Sequence, residues 1–357
     1  MKGYALQTRV HEAMKTAFVE VDKIQGEFDP AEYIHFIVGN ILTGLCFGGK
    51  YTFEDKEVDF ILKKKDLLFD KLGSGAVEDF IPGLKYIYKS DVTKALKEFA
   101  HDVFDVYISN KLKEAEETFD EDNIRHFTDT LILARKEALA EDGADTNYFT
   151  DQRLVMTLVD IFLGGIDTSR FTLQGLILHM VAFPDIQEKV QEEIDRVVGK
   201  DRLPGIDDRP NLSYTEAVLH ESMRLSTVVP LGIQHMTICD TEVGGYKIPK
   251  GTAVNINHWA LHNDPDAWEE VERFMPERYL DENGKLGPKP KNWLPFSAGK
   301  RVCLGEFVAK PQLHLIFACL MQRFKWKMVS GRCPDMEQIG HFVKRYNPNK
   351  VIVEKRL

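Results

Sequence analysis

Through the first two thirds of the chain, apolar residues recur at three- and four-residue spacing, the period that gives a helix one buried stripe. Ile34, Ile37, Val38, Ile41, Leu42 and Leu45 form one such set. The pattern breaks at Gly48-Gly49, Gly73-Ser74-Gly75, Pro82-Gly83, Asp142-Gly143, Pro184 and Pro204-Gly205, where helices are expected to end. From Asp151 to Ala182 it is apolar on several faces yet holds Asp160 and Asp167. That predicts a helix crossing the molecular centre and stopping before Pro184.

Past residue 234 the character changes. Residues 243–248 and 252–256 are short β-prone pieces joined by Gly244-Gly245 and Pro249-Lys250-Gly251, which predicts a small sheet. Pro265, Pro276, Pro288, Pro290 and Pro295 forbid long helices between 263 and 297, and helical periodicity returns over Glu306–Arg323. Irregular chain therefore leads into Cys303. The expected fold is mainly α with a small β region, in one domain over residues 1–357.

Composition narrows the function classes. With 357 residues and 43% apolar content the chain can bury a large core. A net charge of -10 argues against a nucleic-acid binder, since neutralising phosphates needs a basic surface. Five scattered cysteines, with no C-x-x-C pair, fit a reducing compartment better than a disulfide or zinc scaffold. The first 20 residues hold no apolar signal region, and nowhere do about 18 uncharged apolar residues run together.

Three constellations carry chemistry. The first is the loop Phe296-Ser297-Ala298-Gly299-Lys300-Arg301-Val302-Cys303-Leu304-Gly305, with one cysteine just before a helix. A thiolate there gains from the helix dipole and from backbone N–H donors. Gly299 permits a tight turn, Gly305 lets the helix start lie against a flat ring, Phe296 can cover the sulfur, and Arg301 can pair with a carboxylate. The second is Glu221-Ser222-Met223-Arg224, whose spacing puts carboxylate and guanidinium on one helical face. The third is Gly164-Gly165-Ile166-Asp167-Thr168-Ser169 inside the central helix, where two glycines cost about 1 kcal/mol each against alanine. Thr168 follows Gly164 by four residues, so its hydroxyl can reach that carbonyl and open a groove, with Asp167 beside it.

The ligand loop resembles that of the cytochrome P-450 superfamily, whose Phe, Gly, Arg, Cys and Gly stand at the spacings of Phe296, Gly299, Arg301, Cys303 and Gly305. Chance would produce such a match about once in ten thousand sequences of this length. The resemblance implies haem b (iron protoporphyrin IX) with Cys303 as axial ligand of its iron. It implies Asp167 and Thr168 as a proton relay to dioxygen beside a groove at Gly164 and Gly165. Arg278, in Phe274-Met275-Pro276-Glu277-Arg278-Tyr279, is expected to join Glu221 and Arg224 in a buried scaffold network. His235 aligns with a position that often bonds a haem propionate. Val228, Val229, Leu231 and Ile233, with His341 and Phe342, resemble substrate-pocket segments, and their makeup suggests an apolar substrate.

The implied activity is a monooxygenase that inserts one oxygen atom into a small apolar organic molecule, steroid-like or xenobiotic. Electrons would come from NADPH through NADPH-cytochrome P-450 reductase, with cytochrome b5 a further partner, since no G-x-G-x-x-G signature occurs here. Lys300 and Lys310 flank the ligand loop and can steer an acidic partner. A non-catalytic haem-binding or sensing module is the alternative function. Residues 29–53 look closest to animal microsomal members such as steroid 17-alpha-hydroxylase and the xenobiotic-oxidising families. The family's N-terminal anchor, first strands and W-x-x-x-R helix find no match, so the chain is expected to begin partway through that fold. Its full-length parent is expected on the cytoplasmic face of the endoplasmic reticulum membrane.

Overall fold

The computed structural model describes residues 3–49, 51–53, 55, 61, 64, 88–141, 146–340 and 342–357. The turns expected at Gly73-Ser74-Gly75, Pro82-Gly83 and Asp142-Gly143 lie outside these residues, as does His341. In chain order the elements begin with helix α1 (Gly3–Val21), strand β1 (Glu27–Phe28) and helix α2 (Ala31–Phe47). Gly48, at φ 82°, ends α2 in the left-handed region that favours glycine. Helices α3 (Asp91–Phe99) and α4 (Ser109–Glu117) are joined without a break by a π-helical stretch, Ala100–Ile108. Helix α5 (Phe127–Ala140) follows.

Helix α6 (Asp151–Ala182) organises the rest. Thr150 caps its start by accepting the Arg153 N–H, Asp151 complements the dipole, and Pro184 opens the next helix, α7 (Pro184–Val197). Beyond Ile166, α6 is buried almost all round, as expected of a helix through a core. Its N-terminal half leaves one stripe open: Met156, Asp160 and Gly164 are exposed at four-residue intervals, and partly buried Thr168 continues the line. Helix α2 lies along α6, and α1 packs on α2.

Helix α8 (Ser213–Ser226) is also buried along most of its length and packs against both α6 and α7. The predicted small sheet is two separate pairs. Strand β2 (His235–Met236) pairs with β5 (Ala253–Val254), while β3 (Thr241–Val243) and β4 (Tyr246–Ile248) make a hairpin over Gly244-Gly245, both at positive φ. The β-prone stretch 243–248 thus supplies the turn and the second strand of that hairpin. This region carries exposed apolar side chains, Ile238 at 84% and Tyr246 at 76% among them.

A short helix α9 (His258–His262) precedes the proline-rich segment, and helix α10 (Glu306–Arg323) returns the chain to the core against α1, α6 and α7. Strand β6 (Phe324–Lys327), the pair β7 (Gln338–Ile339) and β8 (Arg345–Tyr346), and β9 (Val351–Lys355) complete the chain. Strand β9 sits between β1 and β6 in an antiparallel sheet that ties the C-terminal segment to residues 27–28.

Candidate haem-ligand site

Glu221 and Arg224 have no solvent exposure. Arg224 donates from Nε and Nη2 to the two Glu221 carboxylate oxygens, 2.9 Å each, and its Nη1 donates to the His262 carbonyl at 2.9 Å. Arg278 Nε reaches Glu221 Oε1 at 3.2 Å, bringing all three expected members together. Two partners were not anticipated: the Met275 N–H at 3.0 Å and the Tyr279 hydroxyl at 3.2 Å also bond Glu221. The Trp268 ring lies under both guanidinium groups, 5.1 Å from Arg224 and 5.8 Å from Arg278. Tyr279 directly follows Arg278, and that adjacency was a usable signal.

The Cys303 loop is built by backbone. Gly299 takes φ 76° and Ser297 φ 63°, a tight course that returns the Cys303 N–H to the Phe296 carbonyl at 2.9 Å. The N–H groups of Gly305 and Glu306 lie near the sulfur at the start of α10, and the Glu306 N–H donates to the Cys303 carbonyl at 3.3 Å. Burial by the protein behind it nonetheless pushes the Cys303 thiol up, helped by the Glu306 charge and opposed by those two N–H groups. The helix start and its backbone N–H groups were expected to keep the sulfur deprotonated, and burial outweighs them. A coordinating metal ion deprotonates a thiol outright, which removes that requirement. Cys46 is pushed up to about 12 by burial, and Cys319 higher still, so both are inert core thiols.

Cys303 itself faces open space, and its neighbours Val302, Leu304 and Phe307 are exposed, the last two at 77% and 90%. A Cβ on Gly305 would meet only the Cys303 sulfur, at 3.8 Å. The sulfur therefore stands on an uncovered apolar surface with no side chain at the helix start, and a flat macrocycle fits that surface. Phe296 contributes its carbonyl to the cysteine, while its ring lies 5.2 Å from Lys310 Nζ. Lys310 pairs with Glu306, and its ammonium also sits 5.8 Å from the Trp293 ring. Arg301 and Lys300 are exposed, and no carboxylate of the described residues pairs with Arg301. His235 is partly buried on β2, opposite Val254.

On α6, Thr168 Oγ1 donates to the Gly164 carbonyl at 2.8 Å. A Cβ on Gly164 would touch nothing within 4 Å, whereas one on Gly165 would press on Leu42 at 3.0 Å. Gly164 thus keeps a gap on the open stripe, and Gly165 lets α2 approach closely. Asp167 is buried instead of facing that stripe, and its Oδ1 pairs with Arg170 Nε at 3.0 Å. Arg170 Nη1 in turn donates to His35 Nδ1 on α2 at 2.6 Å. The D-x-x-R spacing of Asp167 and Arg170 is the spacing already noted in Glu221 and Arg224, so this pair was visible in the sequence and missed.

Of the expected pocket residues, Val228 and Val229 are half-buried, while Leu231, Ile233 and Phe342 are exposed. The Lys344 N–H donates to the Val228 carbonyl at 2.7 Å, which brings the two expected segments side by side. Among the described residues no helix is long and apolar enough to cross a membrane, and no group of three or more His, Cys, Asp or Glu side chains is placed to hold a metal ion.

The chain is 34% identical over 318 residues to Cytochrome P450 1A1 of Pleuronectes platessa, covering 88% of this chain and 60% of that protein. It is 35% identical over 318 residues to Cytochrome P450 1A1 of Platichthys flesus, with 88% and 60% covered. Against Cytochrome P450 1A1 of Rattus norvegicus it is 34% identical over 312 residues, with 87% and 59% covered. The chain thus spans about 60% of the length of these curated relatives. The family model for Cytochrome P450 matches residues 5–353, and with the buried Glu221–Arg224–Arg278 cluster and the backbone-closed Cys303 loop in place, the chain belongs to the cytochrome P450 family.

Proposed function

We propose that this chain forms the haem-thiolate part of a monooxygenase acting on a small apolar organic substrate, steroid-like or xenobiotic. The observation that carries the reading is Cys303: its exposed sulfur stands at a helix start among the exposed apolar side chains of Val302, Leu304 and Phe307. With no cluster of metal-binding side chains among the described residues, a metal held by Cys303 takes its other ligands from a cofactor, and haem b meets that need. When bound, haem held by thiolate supplies, as is general in this family, the redox chemistry that splits dioxygen and puts one atom into substrate.

The chain's own residues then have definite tasks. Cys303 holds the group from one side, and the exposed Arg301 cation and His235 are available to its carboxylates. Val302, Leu304 and Phe307 exclude water beneath it. The Thr168 hydroxyl, anchored on the Gly164 carbonyl, delivers protons on the open stripe, and Asp167 supplies them once its pair with Arg170 opens. Val228, Val229, Leu231, Ile233 and Phe342 present an apolar wall to substrate, with His341 beside them in sequence. Electrons come from NADPH through a reductase, with cytochrome b5 an additional donor. Lys300 and Lys310 face an acidic partner, and the whole protein works at the cytoplasmic face of the endoplasmic reticulum membrane.

The test is the reduced carbon-monoxide difference spectrum of haem-loaded protein, wild type against Cys303→Ser. A red-shifted thiolate band in the wild type that vanishes in the variant is expected. Protoporphyrin bound by Cys303→Ser with unaltered spectra would remove the basis of the reading. Substrate oxidation by the reconstituted protein with reductase then separates an enzyme from a haem-binding module.

A further inference from the structure

A line of hydrogen bonds runs from the buried carboxylate cluster to the cysteine, and it passes through His262. This residue ends α9 with no solvent exposure. Its carbonyl accepts from Arg224 Nη1 at 2.9 Å, and its ring is held at both nitrogens. Nε2 accepts the Leu294 N–H at 3.0 Å, and Nδ1 faces Thr227 Oγ1 at 2.9 Å. A backbone N–H can only donate, so Nε2 carries no hydrogen and the ring proton sits on Nδ1. It points at Thr227 Oγ1, whose own hydrogen goes to the Arg224 carbonyl at 2.6 Å. Every donor in the set has one acceptor, and the ring has one orientation.

From Leu294 the line continues along the loop. The Leu294 carbonyl accepts the Ser297 N–H at 3.0 Å, and the Phe296 carbonyl accepts the Cys303 N–H at 2.9 Å. Between these bonds the backbone takes the two positive φ values at Ser297 and Gly299, a course that local preference alone does not hold for serine. One turn earlier on α9, His258 faces the same Leu294 carbonyl. The segment that aims the cysteine is therefore fastened at its base to a histidine that is itself fastened to Arg224.

We infer that His262 is a positioning residue for the Cys303 loop, tying it to the Glu221–Arg224 cluster and so fixing where the sulfur stands. Its meaning for haem binding rests on the reading of Cys303 as iron ligand; the tether itself rests only on the hydrogen bonds. It gives the buried cluster, some 80 residues upstream in sequence, a direct mechanical hold on the ligand.

Amide hydrogen exchange on the whole chain tests this without cofactor. His262→Phe keeps a ring and removes both nitrogens, and the amides of Leu294, Ser297 and Cys303 are expected to exchange about tenfold faster while those of α6 stay unchanged. His262→Gln, whose Oε1 can accept the Leu294 N–H, is expected to restore most of the protection. Unchanged exchange at 294–303, or equal loosening of every region, overturns the tether. Should His262→Phe fail to fold, Thr227→Val removes the Nδ1 partner, together with the hydroxyl's bond to the Arg224 carbonyl, and leaves Nε2 to accept the Leu294 N–H; a smaller rise confined to the same amides supports the tether, and none overturns it. In haem-loaded protein, His262→Phe is expected to lose part of the thiolate band and His262→Gln to regain it. A Cys303→Ser spectrum identical to wild type sinks the iron-ligand reading and leaves the exchange result standing.

Discussion

Arg224 grips Glu221 through two parallel hydrogen bonds of 2.9 Å, with both side chains wholly sealed from solvent. A pair so buried is held by its further partners, Arg278, Tyr279 and the Met275 N–H on Glu221 and the His262 and Arg273 carbonyls on Arg224. Arg224→Ala would leave the Glu221 charge without its main partner. It is expected to lower unfolding stability by about 3 to 5 kcal/mol in urea titrations. Tyr279→Phe removes one neutral donor and is expected to cost about 1 kcal/mol, and equal losses in the two variants would refute the buried-charge argument.

Thr168→Ala is expected to leave stability nearly unchanged, because the hydroxyl sits on the open stripe and bonds only a carbonyl of its own helix. Turnover of the loaded enzyme is expected to fall on the order of 10² to 10⁴ fold, with more reducing equivalents lost per product formed. Arg170→Leu is the companion measurement. It removes the partner of Asp167 without touching the Thr168 hydroxyl, so a change in turnover there ties Asp167 to the relay. Turnover unchanged in Arg170→Leu would separate Asp167 from the relay.

Glycines on one helix give opposite forecasts. A Cβ on Gly175 would meet Ser226 Oγ at 2.6 Å and Tyr346 Cε2 at 2.8 Å, where α6 crosses the end of α8. Gly175→Ala is expected to destabilise by about 1 to 3 kcal/mol through overpacking. Gly164 has nothing within 4 Å, so Gly164→Ala is expected to stabilise the unloaded chain by up to about 1 kcal/mol while filling the groove beside Thr168. Thermal melts of the two variants should move in opposite directions.

Acid should unfold the protein through its histidines. Burial pushes His179 down to about 3, with the Arg224 charge adding to it; burial and the Lys289 charge do the same for His220, and burial with His258 and Arg224 for His262. Above the ordinary histidine value of 6.5, folded and unfolded chains both carry these rings neutral, and their contribution is fully present. As pH falls from 6.5 toward 3, only the unfolded chain takes up protons, and each ring removes up to about 1.4 kcal/mol per pH unit. Burial would raise the Glu216 carboxyl, but bonds from His314 and Arg209 outweigh it and hold the group well below its usual 4.5, so its share is lost on further acidification. Urea midpoints are expected to drop steadily from pH 7 to pH 4, and His179→Gln to flatten the slope by about one proton.

Much of this was legible in the chain because local rules decide it. The span of α6 follows from a cap at Thr150 and a stop before Pro184, and the start of α10 from the glycine after Cys303. What escaped depends on distant partners. Strand β9 pairs with residues 27–28 and with β6, and no alternation in five residues announces either neighbour. Asp167 looked like a group for the open stripe although Arg170 stands three residues on; the His35 that fixes Arg170 lies on another helix and becomes apparent only once α2 lies along α6. Glu221 gained Tyr279 and the Met275 N–H across more than 50 residues of irregular chain, which periodicity cannot register.

The hairpin of β3 and β4 and the strands beside it turn Ile238, Tyr246, Val243 and Met236 toward water. Oily side chains gathered on short, open-edged strands attract one another between molecules as readily as they attract a cover. In concentrated solution that corner is expected to be one place where molecules of this polypeptide cling together.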